Sequence, residues 1–332
     1  MAQLRGTRRE LLMAVAGSAF LAPQDKARWA EVNAFLDTQK ARGLIPGAAL
    51  VAMQDQKVVY ERYMGNYTSL KERQVELNGD VRHVFFSFSK LITATVIAML
   101  HQDGLLDYDS PVSTYIPEFI GGGKDKITLR HLLTHSAGIP AVPLAGVGTE
   151  ADWRIAVKTL CLAQTEWEPG SKTAYHALSG MFACAEAARR VSGGKPWQEI
   201  CKERLFDPIG AKTLNFDIPP AGTPFALTPV PAQLPQTLKE AFAAFAGHPA
   251  GGCSGTPRDA IKVLQLHLNW GMWGSKRLLL KKTLMEMHSV QYAREIEKAL
   301  SGGKNPTHET WGLGILLRGK GAKQGGHDWF GF

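Results

Sequence analysis

The chain has 332 residues, of which 45% are apolar and 20% charged, a balance typical of a globular protein with room for one large domain or two lobes. Lys and Arg number 38 against 30 Asp and Glu, a net charge of +8. The basic residues are dispersed, with no aromatic-interleaved basic block, so nucleic acid is not expected as a partner and the charge reads as solubility with weak attraction to anionic surfaces. No run of about eighteen apolar residues occurs, so no spanning helix is expected in the mature protein.

The N-terminus departs from the rest. Thr7-Arg8-Arg9-Glu10-Leu11-Leu12 places paired arginines before the uncharged stretch 11–23, a basic region followed by an apolar region of signal-peptide length. Residues 1–22 therefore read as a twin-arginine export signal, cleaved near Ala19 or Ala22 or retained as an anchor, and the protein as periplasmic or envelope-associated. Those residues carry Arg5, Arg8 and Arg9 against Glu10, so the remainder keeps +6. Cys161, Cys184, Cys201 and Cys253 show no C-x-x-C spacing. Buried free thiols are the default, which export in a folded state would tolerate.

A helix is expected over 26–42, closed by Gly43, and Ile45-Pro46-Gly47 then leads into extended runs 48–53 and 57–63 joined by Gln54-Asp55-Gln56, a hairpin ended by Gly65. The extended run Val84-Phe85-Phe86 stops at Ser87. Beyond it Ile92, Val96 and Leu100 recur every fourth position, the period of a helix that buries one face. Gly104 is placed to close that helix, and a short helix precedes Pro117. The glycines at 121–123 read as a surface turn, since no strand leads into them and their spacing is not that of a phosphate loop. Thr128 is placed to cap a helix carrying Leu129, Leu132 and Leu133. Further helices are expected over 152–164, over 178–191 with its small residues Gly180, Ala183, Ala187 and Ala188, over 196–205, and over 258–269 after Thr256-Pro257. The proline-rich stretch 219–235 reads as a long excursion beside a cleft, residues 249–254 as a tight turn, and 311–317 as a strand.

Chemistry concentrates at Ser87-Phe88-Ser89-Lys90. Residues three apart share a helical face, so the Lys90 amine can reach the Ser87 hydroxyl. Serine becomes a nucleophile when a neighbouring base takes its proton. Lysine can be that base once burial and the positive helix N-terminus lower its pKa from about 10.4. Taken alone, the same spacing also fits a serine cap followed by a solvated lysine, and Ser89 competes as the hydroxyl. Tyr175, just before the small-residue helix, fits either a core position or a working hydroxyl. His131 and His135 have the spacing of two metal ligands on one helix. Leu132 stands where a zinc peptidase needs its glutamate, so a structural role bonded to nearby backbone is expected, and no metal or other cofactor.

Several spaced pieces together resemble the serine β-lactamase and penicillin-binding-protein superfamily, nearest its class C and esterase-like branch. They are Pro46-Gly47 with its hairpin, Ser87-Phe88-Ser89-Lys90, Leu105-Leu106-Asp107-Tyr108-Asp109-Ser110-Pro111-Val112 with Pro117, Leu132-Leu133-Thr134-His135-Ser136-Ala137-Gly138-Ile139-Pro140, Pro169-Gly170 leading to Tyr175, Pro208-Ile209-Gly210, Gly251-Gly252 with Asp259, and Trp311-Gly312-Leu313-Gly314. The resemblance implies an α+β architecture for residues 23–332, in which an antiparallel sheet lobe (about 23–85 and 256–332) stands beside a mostly helical lobe (about 86–255). It implies a serine hydrolase that forms an acyl-enzyme on Ser87. Lys90 would assist deprotonation, Tyr175 would shuttle the proton, and the Ser87 N–H would serve as one oxyanion donor. Carboxylic esters or related small acyl molecules are the implied substrates, with β-lactamase or D-amino-acid-specific peptidase activity, or an inactive envelope binding protein, as alternatives. No oligomeric state follows.

Two positions depart from the pattern. Ala177 occupies the asparagine position of the family's Y-x-N element, removing the amide that holds acylamide substrates, which favours simple esters. The third element, K-T-G or H-x-G in type, is matched only by His327, where Trp329 stands in place of the glycine. The expectation is that this element lies beyond Phe332, since a sheet ending here would leave an edge unpaired.

Overall fold

The computed structural model describes residues 29–45, 47–68, 74–142, 147–217, 225–226, 247–291, 310–318 and 329–331. Helix α1 (Ala30–Ala41) places Val32 and Leu36 over the sheet that follows, and Trp29 stacks on Tyr60 with ring centroids 4.1 Å apart. Strands β1 (Gly47–Gln54) and β2 (Lys57–Thr68) pair antiparallel through a two-residue turn, in which Asp55 and Gln56 are both left-handed. That mirror-image turn matches the twist of the strands it joins. Gly65 does not end the hairpin as expected. It sits opposite Gly47 within the ladder, and β2 runs on to pair with β3 (Gln74–Glu76).

Strand β4 (Arg82–Val84) lies between β5 (Phe225–Ala226), parallel to it, and β6 (Ser254–Gly255), antiparallel. The chain then enters α2 (Phe88–Gln102). The periodicity predicted one buried face, but every residue from Ser89 to Leu100 is buried. Its two internal threonines fit because their hydroxyls donate to backbone: Thr95 to Leu91 O at 2.7 Å within the helix, and Thr93 to Pro249 O at 2.7 Å across the core. Residue period alone could not separate a helix in the middle of a core from one at its edge.

The short helix before Pro117 is a single tight turn, Val112–Thr114. Helix α3 (Leu129–Leu133) begins at Thr128, whose hydroxyl accepts the His131 N–H while the His131 ring accepts the Thr128 N–H. Helix α4 (Glu150–Leu162) starts earlier than predicted because Thr149 caps it. Helix α5 (Ser179–Val191) approaches α3 so closely that a Cβ at Gly180 would lie 3.2 Å from Leu132 O. Helix α6 (Trp197–Cys201) widens into a π-turn over Lys202–Phe206. Helix α7 (Pro257–Leu268) has proline in its first turn, where the missing N–H costs nothing. The hairpin β7 (Met272–Trp273) and β8 (Lys276–Arg277) precedes α8 (Lys281–Met287).

Residues 311–317 are not one strand. Strand β9 (Thr310–Trp311) turns at Gly314 and returns as β10 (Leu316–Arg318), which also pairs with β11 (Trp329–Gly331). Gly314 has φ of 70°, and a side chain there would collide with Ala94 of α2. This turn therefore rests directly on the helix that Ser87 opens. Apart from β5, the 219–235 excursion lies outside the described residues, as do residues 1–22, where an export signal was expected, and His327.

Candidate active site

Three neighbours fix Ser87. Strand β4 is held between β5 and β6, the Phe85 N–H donates to Cys253 O at 3.0 Å, and Phe86 bends into the left-handed region at φ of 44°. For a bulky residue that conformation is strained by roughly 1–3 kcal/mol and survives only where its surroundings enforce it. Its effect is to turn the chain sharply from strand into helix, leaving Ser87 at the helix mouth.

Lys90 lies one turn on and is 1% exposed. Its Nζ donates to Ala250 O at 2.9 Å and lies 3.3 Å from Ser87 Oγ. Burial lowers its pKa from 10.5 to about 7, because the ammonium loses the water that would otherwise stabilise its charge. The solvated-lysine alternative therefore does not describe this site. Ser89 points away from solvent: it is fully buried, and its Oγ accepts the Cys253 N–H at 3.0 Å.

Tyr175 completes the cluster, with its OH 2.5 Å from Ser87 Oγ and its ring 5.1 Å from Lys90 Nζ. It arrives on an extended segment pinned to the turn after α3, where Ala174 N–H donates to His135 O and the Thr173 hydroxyl to Thr134 O and His135 O. His135 is left-handed at φ of 57° and lies beyond the end of α3. The two histidines thus do not share one helix, which removes the metal-ligand geometry their spacing suggested. His135 Nδ1 accepts the His176 N–H at 3.2 Å, and its ring packs between Tyr175 and Trp311, 5.1 and 4.4 Å away. Trp311 also stacks nearly parallel to Tyr175 at 6.3 Å. The tyrosine is backed by aromatic rings yet 44% exposed, so its hydroxyl lies between the buried amine and solvent.

Burial, with the Lys90 charge nearby, lowers the pKa of His176 to about 4 and holds His135 well below 6.5. Both rings are thereby held neutral at physiological pH, while the Lys90 amine changes charge near neutrality. Ala177 follows Tyr175 and is exposed, and its methyl group can donate no hydrogen bond. Among the described residues no group of three or more His, Cys, Asp or Glu side chains could hold a metal ion. The backbone of 249–253, which supplies the Lys90 acceptor and the Ser89 donor, was read in the sequence only as a tight turn. Its one advance signal is Gly251-Gly252, the pair singled out in the sequence.

A family model described as Beta-lactamase matches residues 32–332. The chain belongs to the β-lactamase family. Among curated relatives of this β-lactamase-family chain, Esterase/beta-lactamase LipL of Mycobacterium tuberculosis is 32% identical over 181 residues, covering 54% of this chain and 41% of that protein. Esterase EstB of Burkholderia gladioli is 25% identical over 209 residues, covering 56% and 51%. The chain thus spans about half the length of these curated relatives. A crystal structure of a family VIII carboxylesterase superposes with a TM-score of 0.71 at 26% identity, covering 88% of this chain and 82% of that one. A penicillin-binding protein homologue from Caulobacter crescentus superposes at 0.72 with 22% identity, covering 92% and 85%, which speaks for the fold alone. The expected α+β, β-lactamase/transpeptidase-like architecture is therefore the observed one.

Proposed function

We propose that the protein is a serine hydrolase acting through an acyl-enzyme on small carboxylic esters. The observation that carries this reading is the placement of Ser87 Oγ 3.3 Å from a buried lysine amine and 2.5 Å from the Tyr175 hydroxyl. Above about pH 7 the neutral Lys90 amine has a lone pair for the Ser87 proton while one of its N–H groups stays on Ala250 O. Ser87 Oγ then attacks the ester carbonyl carbon. The tetrahedral oxyanion forms at the start of α2, where the helix dipole and the Ser87 N–H favour negative charge. Collapse breaks the bond to the alcohol, which leaves with a proton relayed by Tyr175. Water, deprotonated through the same relay, attacks the acyl-enzyme, and the Ser87 oxygen regains its proton as the carboxylic acid departs.

Esters are favoured because Ala177 offers no amide to an acylamide substrate. Relatives named as esterases support the same choice. A second reading, hydrolysis of D-amino-acid peptides, has in its favour D-alanyl-D-alanine-carboxypeptidase/endopeptidase AmpH of Escherichia coli, 25% identical over 244 residues, 67% of this chain and 57% of that one. Labelling with a fluorophosphonate, lost in Ser87→Ala, is expected, together with hydrolysis of p-nitrophenyl acetate or butyrate faster than of a chromogenic cephalosporin or D-Ala-D-Ala peptide. The opposite substrate ranking would move the function to the second reading. Absence of labelling would leave a binding protein with this fold. Export through the Arg8-Arg9 segment is proposed on the sequence alone, and cell fractionation with and without that pair tests it.

A further inference from the structure

We propose that His248 is a positioning residue for the base: its imidazole anchors the Ala250 N–H and its carbonyl the Gly251 N–H, and the Ala250 carbonyl oriented between these two bonds holds the Lys90 amine against Ser87. The proposal rests on the serine-hydrolase reading for its importance to catalysis, but not for its geometry. His248 is fully buried and uses side chain and backbone together on one turn. Its Nδ1 accepts the Ala250 N–H at 3.0 Å, and its carbonyl accepts the N–H groups of Gly251 and Gly252 at 3.1 and 2.7 Å. Accepting the N–H of the residue two positions on is what an aspartate or asparagine side chain does in a local turn, and in this turn an imidazole does it. The result is one defined direction for the Ala250 carbonyl, which receives Lys90 Nζ at 2.9 Å. Thr93 steadies the neighbouring Pro249 carbonyl at 2.7 Å, and Ser89 the Cys253 N–H at 3.0 Å, so with the Lys90–Ala250 bond α2 and this turn are joined at three places.

The arrangement carries a cost that packing alone does not explain. With Nδ1 accepting, the ring proton sits on Nε2, which is buried and has no partner among the described residues. A phenyl ring beside Phe182, whose centroid is 5.9 Å from that of His248, would fill the same space without an unmatched donor. What a phenyl lacks is the acceptor for Ala250. The ring also has to stay neutral to accept, and burial together with the Lys90 charge keeps its pKa at about 3. Among the described groups that bear on Lys90 electrostatically are the Ala250 carbonyl, the Tyr175 ring, the Ser87 hydroxyl and the neutral rings of His135, His176 and His248.

The test compares His248→Leu, which removes the acceptor, with His248→Asn, whose Oδ1 can replace Nδ1. Each is followed by p-nitrophenyl ester kinetics from pH 5 to 10 and by NMR titration of Lys90 in protein labelled with 13C at lysine Cε, assigned against Lys90→Met. In His248→Leu, kcat is expected to fall 10- to 100-fold with KM within about threefold, and the acid limb and the Lys90 titration to move up together by at least one pH unit as the amine loses its anchor and gains water. His248→Asn is expected to restore both. Overturning results are an unchanged Lys90 titration in a folded His248→Leu, or a His248→Asn protein as defective as His248→Leu. If His248→Leu does not fold, His248→Asn decides alone: a wild-type Lys90 titration upholds the clamp, and a displaced one refutes it. Should wild type hydrolyse no ester while the Lys90 titration still responds to position 248, the functional reading fails and the positioning role stands.

Discussion

Replacing Lys90 with methionine separates the cost of the base from its use. Methionine has a similar unbranched reach, so the core around α2 can remain filled while the amine disappears. In wild type the folded protein releases the Lys90 proton near pH 7, whereas the unfolded chain releases it near 10.5. Across that window the unfolded chain binds more protons, so stability contributed by this group must rise with pH, at up to about 1.4 kcal/mol per unit. Below pH 7 the buried ammonium costs the fold roughly 4–5 kcal/mol relative to pH above 10.5. The methionine variant escapes that cost but leaves Ala250 O without its donor, a loss of about 1–3 kcal/mol. Lys90→Met is therefore expected to be the more stable protein at pH 6. Its advantage should shrink by roughly 3 kcal/mol between pH 7.5 and 9.5. Urea denaturation of both proteins at these three pH values, read by circular dichroism, measures the difference and cancels all other titrating groups. A gap that stays flat with pH would mean that Lys90 keeps its ordinary pKa in the fold, and a protonated, hydrated amine cannot serve as the base.

Acylation by a fluorophosphonate should decline toward tenfold per pH unit below about 7 in wild type, because only the neutral amine accepts the Ser87 proton; a rate independent of pH from 5 to 8 would exclude this base. Tyr175→Phe keeps the ring stacked on Trp311 and packed against the tilted His135 ring but loses the hydroxyl 2.5 Å from Ser87 Oγ, so kcat should drop about 10²- to 10⁴-fold with the melting temperature little changed. Ser89→Ala should retain labelling at Ser87 while losing roughly 1–3 kcal/mol in urea denaturation, since it strands the buried Cys253 N–H; loss of labelling with stability intact would make Ser89 the nucleophile after all. Phe86→Gly relieves a left-handed φ of 44° and is expected to gain about 1 kcal/mol unless lost packing offsets it, while ester turnover falls as the strand-to-helix bend loosens; equal or higher turnover would show that the bend does not position Ser87.

Some of the site was legible because its chemistry is local. Ser87 and Lys90 are one helical turn apart, and the apolar residues from Leu91 to Leu100 imply that the turn lies against a core. Thr128, Gly104 and Pro257 marked helix ends correctly for the same reason: capping involves neighbours in sequence. Tyr175 was ambiguous between core and function because its partner is 88 residues away. Only the pairing of the 173–175 segment with His135 aims it at Ser87. The histidines at 131 and 135 show the reverse error, in which spacing suggested a shared helix but a left-handed residue ended it.

By itself, then, the order of residues determined where the main helices begin and end and that Ser87 and Lys90 share a helical face, since helix caps, turns and a serine-to-lysine spacing depend on a few consecutive dihedral angles. Tertiary structure alone decided that α2 is enclosed on every side, that the Gly314 turn rests on Ala94, and that Ala250 and His248 stand behind Lys90. A lysine's proton affinity depends on the water and dipoles that surround it, and these come from segments about 160 residues distant along the chain.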